Sequence, residues 1–292
     1  MFKGSVTALI TPFKNGKVDE NRLKANVDFQ IKNKVLGLLP CGTTGESPTL
    51  SHLEHRKVIQ LVVKAAKGRV PVMAGTGSNS TDEAVELTRY AKKVGCDAAL
   101  MVSPYYNKPT QKGLYLHFKK VADTVDIPIM LYNIPGRTGI NIEAVTMAKL
   151  KNDCKNIIGV KEATGSLDMA SQIISACGKD FCVMSGDDNL TLPIMSVGGR
   201  GVISVISNIV PRQVADMTAA YARGDFKKAQ EIHYYLFPLM KAAFIETNPI
   251  PVKTAMMLAG MDTGEMRLPM CSMEEGTLRK MTDVLRTYGL VG

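Results

Sequence analysis

Short apolar runs rich in β-branched residues recur along the first two thirds of the chain. There are eight of them, each about as long as a buried strand and bounded by Gly, Pro or Asn. Several are almost continuously apolar, as parallel strands covered on both faces must be. The pattern therefore predicts eight buried parallel strands. The runs begin at Ser5, Leu36, Val70, Asp97, Ile127, Asn156, Phe181 and Gly201.

Between these runs, apolar residues recur at helical spacing, as at Leu23, Val27 and Ile31. A strand followed by a helix occurs eight times, at intervals of about 20 to 34 residues. This alternation is typical of an α/β fold, the (β/α)8 TIM barrel, whose closed sheet has no edge. An open doubly wound sheet is the alternative.

Local signals place several helix boundaries. Ser51 with Glu54, and Ser80 with Glu83, have the spacing of a capping box, in which hydroxyl and carboxylate each satisfy a free backbone N–H group. Pro211 suits the first position of the helix after the last strand. After about residue 224 the strand signal stops, and the remainder predicts two or three helices. We therefore predict a barrel over residues 1–224 and a C-terminal helical domain over residues 225–292.

Composition narrows the class of protein. The 292 residues are 45% hydrophobic and 22% charged, which excludes disordered and collagen-like chains. The net charge of +9 attracts nucleic acid, acidic membranes or small anions, or it is a solubilising excess without a partner. The basic residues form no stripe interleaved with aromatics, which argues against a nucleic-acid-binding or scaffold protein. No apolar window is long enough for a membrane span or signal peptide, so a cytoplasmic protein is expected.

Cysteine and histidine give little sign of metal chemistry. The six cysteines form no CxxC pair, and their surroundings favour buried free thiols. His52 and His55 are the only close histidine pair, and they lack an obvious third ligand. We therefore predict no metal site.

Polar residues follow several predicted strands, where barrel enzymes carry their active sites. The turn from Gly42 to Ser47 offers hydroxyl and backbone N–H groups to a carboxylate, although such a turn can also be a plain loop. Arg137 lies in a glycine-flanked loop, where its guanidinium suits two-point carboxylate binding or is simply a solvated surface group.

Lys161 is the sharpest candidate for chemistry. Alternation along its strand places Gly159 and Lys161 on one face, with Ile158 and Val160 on the other. If the second face meets helices, Lys161 points into the barrel. An unpaired buried ammonium tends to lose its proton, and a neutral amine can form a Schiff base with a ketone. A structural ion pair with Glu162 or another carboxylate is the alternative.

At these residues the sequence resembles the dihydrodipicolinate synthase family, which consists of class I aldolase-like enzymes in the N-acetylneuraminate lyase superfamily. The resemblance covers nearly the whole chain. Seven motifs in the right order make it specific. They are GTTGES from Gly42, PYYNKPTQKGLYLHF from Pro104, YNIPGRTG from Tyr132, GVKEATG from Gly159, SGDD from Ser185, GVISV from Gly201 and NPIPVK from Asn248.

The resemblance implies a homotetrameric enzyme that condenses pyruvate with L-aspartate 4-semialdehyde, the entry step of diaminopimelate and lysine synthesis, without a cofactor. Lys161 would form the Schiff base with pyruvate. Tyr132, Thr43 and Tyr106 would relay protons, with Tyr106 supplied by a neighbouring subunit. The superfamily also contains N-acetylneuraminate lyase and keto-deoxy sugar-acid aldolases. The GRTG and PYYN segments favour the shorter substrate.

The resemblance also implies residues that bind substrate. Thr43, Thr44 and nearby backbone donors would hold the pyruvate carboxylate. Arg137 would hold the carboxylate of the semialdehyde. Gly186 and Ile203 would contribute backbone carbonyl groups.

A second site is implied by the lysine-regulated members of the family. Pro48 departs from the alanine common there, but the contact is through backbone. The resemblance therefore predicts feedback inhibition by free lysine. The alternative is that His52 and His55 merely lie near a helix start and that Glu83 only caps a helix, without a ligand. The matching residues are Ser47, Pro48, His52, His55, Asn79, Glu83 and Tyr105.

Overall fold

The computed structural model describes residues 2–292, in which eight parallel strands form one sheet that follows the eight apolar runs. A two-stranded antiparallel hairpin lies outside this sheet. The strands are β1 (Gly4–Ala8), β2 (Phe13–Lys14), β3 (Lys17–Val18), β4 (Gly37–Leu39), β5 (Met73–Gly75), β6 (Ala98–Val102), β7 (Ile129–Asn133), β8 (Ile157–Glu162), β9 (Cys182–Ser185) and β10 (Gly201–Ser204).

The large sheet closes on itself. Its strand order is β4-β1-β10-β9-β8-β7-β6-β5, and a parallel bridge between Leu38 and Val72 joins the two outer strands. A backbone hydrogen bond of 3.0 Å from Gly75 N to Pro40 O extends this contact. The (β/α)8 barrel is thus confirmed, and the open-sheet alternative is wrong. The hairpin β2–β3 was not predicted.

Helices follow the barrel strands and cover the outside of the sheet, and three more follow the last barrel unit. Short 3₁₀ turns lie at Ser47–Thr49, Asp188–Leu190 and Ile206–Asn208. The helices are α1 (Glu20–Lys32), α2 (His52–Ala66), α3 (Thr81–Val94), α4 (Gln111–Thr124), α5 (Pro135–Thr138), α6 (Ala144–Asp153), α7 (Leu167–Cys177), α8 (Thr191–Ser196), α9 (Pro211–Ala222), α10 (Phe226–Ala242), α11 (Ile250–Leu258) and α12 (Glu275–Thr287).

The predicted helix starts are mostly confirmed. Ser51 and Glu54 form the complete capping box of α2, and Pro211 begins α9. Ser80 accepts a hydrogen bond from Glu83 N and caps α3. The reciprocal bond is missing there, because the Glu83 carboxylate accepts a hydrogen bond from Ser78 and pairs with His52.

Strand β8 directs Lys161 into the barrel. Lys161 lies beside Tyr132 of β7 and Met184 of β9 in the sheet register, and both of these neighbours belong to the inner apolar cluster. Residues at matching positions of parallel strands point to the same face. The predicted inward orientation of Lys161 is therefore consistent with the register.

A register irregularity alters the start of this strand. Met130 pairs with Gly159 while Ile129 pairs with Ile157, so Ile158 is an extra residue. Ile158 packs against the apolar cluster inside the barrel, whereas Val160 belongs to the cluster between the sheet and the helices. The prediction that Ile158 and Val160 share one face was therefore wrong for Ile158. A Cβ on Gly159 would lie 2.2 Å from Cys182 O, which explains the glycine.

The C-terminal segment consists of three helices, within the predicted two or three. Helices α10, α11 and α12 share an apolar cluster with α9 and with the end of the barrel near β10. Asp225 caps α10 directly after the last barrel helix. The division into residues 1–224 and 225–292 stays a prediction.

Two further expectations concern cysteines and membranes. All six cysteines are free, and five are buried; Cys271 is exposed, contrary to the expected burial. Within residues 2–292, none of the helices combines the length and apolar character needed to cross a bilayer.

Candidate active site

A cavity of about 430 Å³ opens near the carboxyl ends of β4 to β7. It is partly apolar, through Leu100, Val102 and Ile134, and partly polar. Lys161, Thr44, Gly186 and Ile203 are not among its lining residues. Two catalytic candidates, Thr43 and Tyr132, therefore share one continuous space with Arg137 and with most of the predicted lysine site. The predicted site residues that line it are Thr43, Ser47, Pro48, His52, His55, Glu83, Tyr105, Tyr132 and Arg137.

Lys161 lies beside Tyr132 in the barrel interior. Its side chain is buried, and Nζ lies 4.3 Å from the centre of the Tyr132 ring. Within the described residues no carboxylate comes within ion-pair distance of Lys161. Glu162 instead accepts hydrogen bonds from Asn133 Nδ2 at 3.1 Å and Thr164 N at 2.8 Å. The geometry therefore does not favour a structural Lys161–Glu162 pair.

Asp187, which follows the end of β9, is an acidic neighbour of Lys161. Burial raises the pKa of Asp187, and the positive charge of Lys161 lowers it in part. Gly186 approaches the lysine so closely that a Cβ there would lie 3.2 Å from Lys161 Cε. The absence of a side chain at Gly186 keeps this part of the lysine stem uncrowded.

Asp188 joins the ends of β9 and β10, which carry Gly186 and Ile203. Its carboxylate accepts hydrogen bonds from Ser204 Oγ at 2.5 Å and Val205 N at 2.9 Å. Burial raises the pKa of Asp188, while these hydrogen bonds lower it. Asp188 thereby connects the two strand ends that carry the predicted backbone carbonyl groups of Gly186 and Ile203.

The turn after β4 presents Thr43 and Thr44. Glu46 N donates to Thr43 O at 3.1 Å, which tightens the turn. Within residues 2–292, neither Thr43 nor Thr44 uses its backbone N–H in a hydrogen bond. Two adjacent free donors suit an anionic group, because such concave backbone arrangements bind carboxylates.

Asn248 is a site residue that the sequence reasoning missed. Its side-chain Nδ2 donates to Thr44 Oγ1 at 3.0 Å, and its backbone carbonyl accepts from an Arg137 guanidinium N–H at 3.1 Å. Its buried Oδ1 has no partner within the described residues. The NPIPVK motif marked this residue as part of the resemblance, but nothing in its spacing connected it with Thr44 or Arg137.

Tyr106 lies outside the cavity that Thr43 and Tyr132 line. Its side chain is 89% exposed, and its φ of 72° is in the left-handed region. The neighbouring Tyr105 lines the cavity instead. This chain alone therefore does not bring Tyr106 to Lys161.

All of the predicted lysine-site residues except Asn79 line one wall of the cavity, which we call the polar wall. Glu83 Oε1 lies 3.2 Å from His52 Nε2, within ion-pair distance when His52 is protonated. Asn79 does not line the cavity. Its side chain donates a hydrogen bond of 3.2 Å to Tyr105 O and so holds the backbone of this tyrosine. Burial lowers the pKa of His55 to about 4, so this ring is neutral at neutral pH.

Comparison with known proteins identifies the class of enzyme. The model of the dihydrodipicolinate synthetase family matches residues 1–288, and the chain belongs to this family. The resemblance seen in the motifs is thereby confirmed.

In the part of the chain that the structure describes, no cluster of three His, Cys, Asp or Glu side chains is arranged to hold a metal ion.

Individual relatives match over the full length. A 4-hydroxy-tetrahydrodipicolinate synthase of Endomicrobium trichonymphae is 60% identical, with 100% of both chains covered. The structure of a chloride-inhibited dihydrodipicolinate synthase from Acinetobacter baumannii complexed with pyruvate is 41% identical, with a TM-score of 0.96 and 100% of both chains covered. A dihydrodipicolinate synthase of Cyanidioschyzon merolae with lysine bound is also 41% identical, with a TM-score of 0.96 and 99% coverage.

Buried neutral histidines predict a pH-dependent stability. Burial lowers the pKa of both His55 and His117 from 6.5 to about 4. The unfolded chain therefore binds more protons below pH 6.5, so the stabilisation is complete above that pH and is lost as the pH falls towards 4. Each histidine is expected to account for about 2 kcal/mol of the loss between about pH 7 and about pH 5.

The His117→Gln variant isolates this contribution, since His117 lies in α4 away from the cavity lining. Urea unfolding at both pH values measures the free energy of unfolding. The variant should lose less stability than the wild type on acidification. An equal loss in both proteins would contradict the assignment of a neutral buried ring at His117.

Proposed function

We propose that this chain acts as a lyase that condenses pyruvate with L-aspartate 4-semialdehyde to form 4-hydroxy-tetrahydrodipicolinate, through a Schiff base at Lys161. The proposal rests above all on one observation: a buried lysine lies beside a tyrosine ring and is not paired with a carboxylate. Membership of the family and the full-length relatives support the same reaction. It is the entry step of diaminopimelate and lysine synthesis.

The first half of the reaction activates pyruvate. The Lys161 amine attacks C2 of pyruvate through its nitrogen lone pair, and loss of water leaves an iminium ion. The iminium withdraws electrons, so a proton leaves the C3 methyl group and an enamine forms. The free N–H groups of Thr43 and Thr44 suit the pyruvate carboxylate during these steps.

The second half joins the substrates and releases the product. The enamine carbon attacks the aldehyde carbon of the semialdehyde, and the aldehyde oxygen takes up a proton. The substrate's amino group then attacks C2 and displaces Lys161, which closes the ring. Arg137 suits the semialdehyde carboxylate, because its guanidinium lines the cavity and is oriented by the Asn248 carbonyl.

Hydroxyl groups supply the proton transfers in this scheme. Tyr132 lies beside Lys161, and Thr43 lines the same cavity. Tyr106 completes the relay only if it comes from a second copy, since it projects from its own chain. We therefore propose a homotetramer of paired subunits in which each site receives Tyr106 from its neighbour.

Trapping with borohydride tests the Schiff base. Reduction in the presence of pyruvate should convert the iminium to a stable secondary amine on Lys161, detectable by peptide mass spectrometry. The Lys161→Arg variant should remain unlabelled and inactive, because its guanidinium stays protonated. The exposed Lys155 provides the matched control: the Lys155→Arg variant should be labelled at Lys161 as the wild type is.

A wild-type protein that stays unlabelled at Lys161 would remove the basis of the mechanism. Turnover of pyruvate with the semialdehyde, measured beside cleavage of N-acetylneuraminate, tests the substrate. Only the first reaction is expected. Cleavage of the sugar acid as the faster reaction would favour the aldolase alternative.

Subunit mixing tests the position of Tyr106. Tyr106→Phe and Lys161→Ala homo-oligomers should both be nearly inactive. Dissociation and reassembly of a mixture should restore part of the activity, because some sites then combine an intact Lys161 with a partner's intact Tyr106. Full activity in a strictly monomeric protein would contradict the assignment.

Free lysine is the proposed inhibitor at the polar wall of the cavity. Glu83 suits its ammonium group, and the wall adjoins the catalytic half of the cavity. A lysine-bound relative supports this second role. Occupation of the shared space would alter Tyr105, which precedes Tyr106 in the sequence.

Initial rates measured against lysine concentration test the inhibition. The Glu83→Gln variant should need roughly tenfold more lysine, because a charge-assisted contact with an ammonium is lost. Glu86→Gln, on the same helix but outside the cavity lining, should behave as the wild type. Wild-type rates unaffected by lysine would refute the proposed inhibition.

A further inference from the structure

A buried ion pair lies directly behind the turn that carries Thr43 and Thr44. Lys253 of α11 is fully buried, and its Nζ lies 2.6 Å from Oε1 of the equally buried Glu46. The lysine also donates to Thr11 O at 2.9 Å and lies 4.3 Å from the centre of the Phe13 ring. Both charges are thus removed from water and matched to each other.

The pair acts on the turn through its backbone. Glu46 has a φ of 52°, a left-handed conformation that is unfavourable for a residue with a side chain. Its other carboxylate oxygen accepts from Arg267 N at 3.1 Å, so both oxygens are held by the C-terminal segment. Two fixed oxygens on a strained residue determine the path of the chain immediately after Thr44.

Neighbouring contacts hold the same turn from the barrel side. Thr11 Oγ1 donates to Gly45 O at 2.6 Å, while Thr11 O is a partner of Lys253. Gly45 leaves little space, since an added Cβ would lie 3.1 Å from Leu9 O. The residues that follow Thr44 are therefore fixed both by the barrel and by α11.

We propose that Glu46 and Lys253 are positioning residues for the pyruvate-binding turn. They touch no reacting atom; they set the direction of the Thr43 and Thr44 N–H groups by holding Glu46 in its left-handed conformation. The inference rests on the proposed function, which assigns the pyruvate carboxylate to this turn. Burial lowers the pKa of Lys253, and the Glu46 carboxylate offsets part of this decrease.

The double variant E46Q/K253M tests this role. It replaces both charges with neutral side chains of similar size, so that no unpaired charge remains buried, and such replacements often preserve stability. The single variant Lys253→Met leaves a buried carboxylate unpaired and is expected to be much less stable. The exposed pair of α10 provides the matched control K228M/E231Q.

Two measurements separate positioning from stability. Thermal unfolding reports the fold, and the pyruvate dependence of borohydride trapping at Lys161 reports occupancy of the site. E46Q/K253M should unfold close to the wild-type temperature yet need roughly tenfold more pyruvate, because a misdirected binding group costs one to two orders of magnitude. The control should match the wild type in both respects.

The outcomes are distinct. A folded double variant with wild-type pyruvate dependence overturns the positioning role and leaves the ion pair purely structural. If the double variant does not fold, Glu46→Asp, which keeps a carboxylate beside Lys253 but shortens its reach, is measured by the same criterion. Absence of trapping in the wild-type protein refutes the proposed function instead, so the two failures cannot be confused.

Discussion

Closure of the parallel sheet is the constraint on which the rest of the molecule depends. Once the bridge between Leu38 and Val72 joins β4 to β5, every barrel strand has two neighbours and apolar surroundings on both faces. Polar side chains are then tolerated mainly where strands end. The turn at Thr43, the loop at Arg137 and the loop at Gly186 are brought to one rim for this reason.

Lys161 lies next to the last residue of β8, and its surroundings show how a buried amine is tolerated there. The amine lies against the Tyr132 ring, which provides polarisable contact. Two acidic groups of this region have other partners: Glu162 accepts hydrogen bonds from Asn133 and Thr164, and Asp188 accepts them from the backbone after the last strand. Asp187 is affected by the charge of Lys161 but lies beyond ion-pair distance. A lysine that is sheltered but unpaired keeps its nitrogen available for a carbonyl carbon. The buried Lys253 has the opposite arrangement, with its carboxylate partner in contact.

The sequence predicted the barrel well because each strand carries its own local signal. Prediction from the sequence was less successful where contacts between distant residues, or very short strands, determine the structure. The hairpin β2–β3 was overlooked although Asn15 and Gly16 supply the two positive φ angles of a tight turn, because its strands are only two residues long. Ile158 was placed on the wrong face because a register irregularity depends on the neighbouring strand. Asn248 and the Glu46–Lys253 pair join residues about two hundred positions apart, which no periodicity reveals.

The hydrogen bond from Arg267 N to Glu46 has a consequence for the stage of synthesis at which this turn is completed. The turn after β4 leaves the ribosome early, but its bracing partner Arg267 is translated 221 residues after Glu46. A nascent chain that has already completed all eight barrel strands still lacks the groups that fix this turn. The proposed pyruvate-binding turn should thus be completed only with the C-terminal segment, and a chain that ends after the barrel would have its lysine in place beside an unbraced turn.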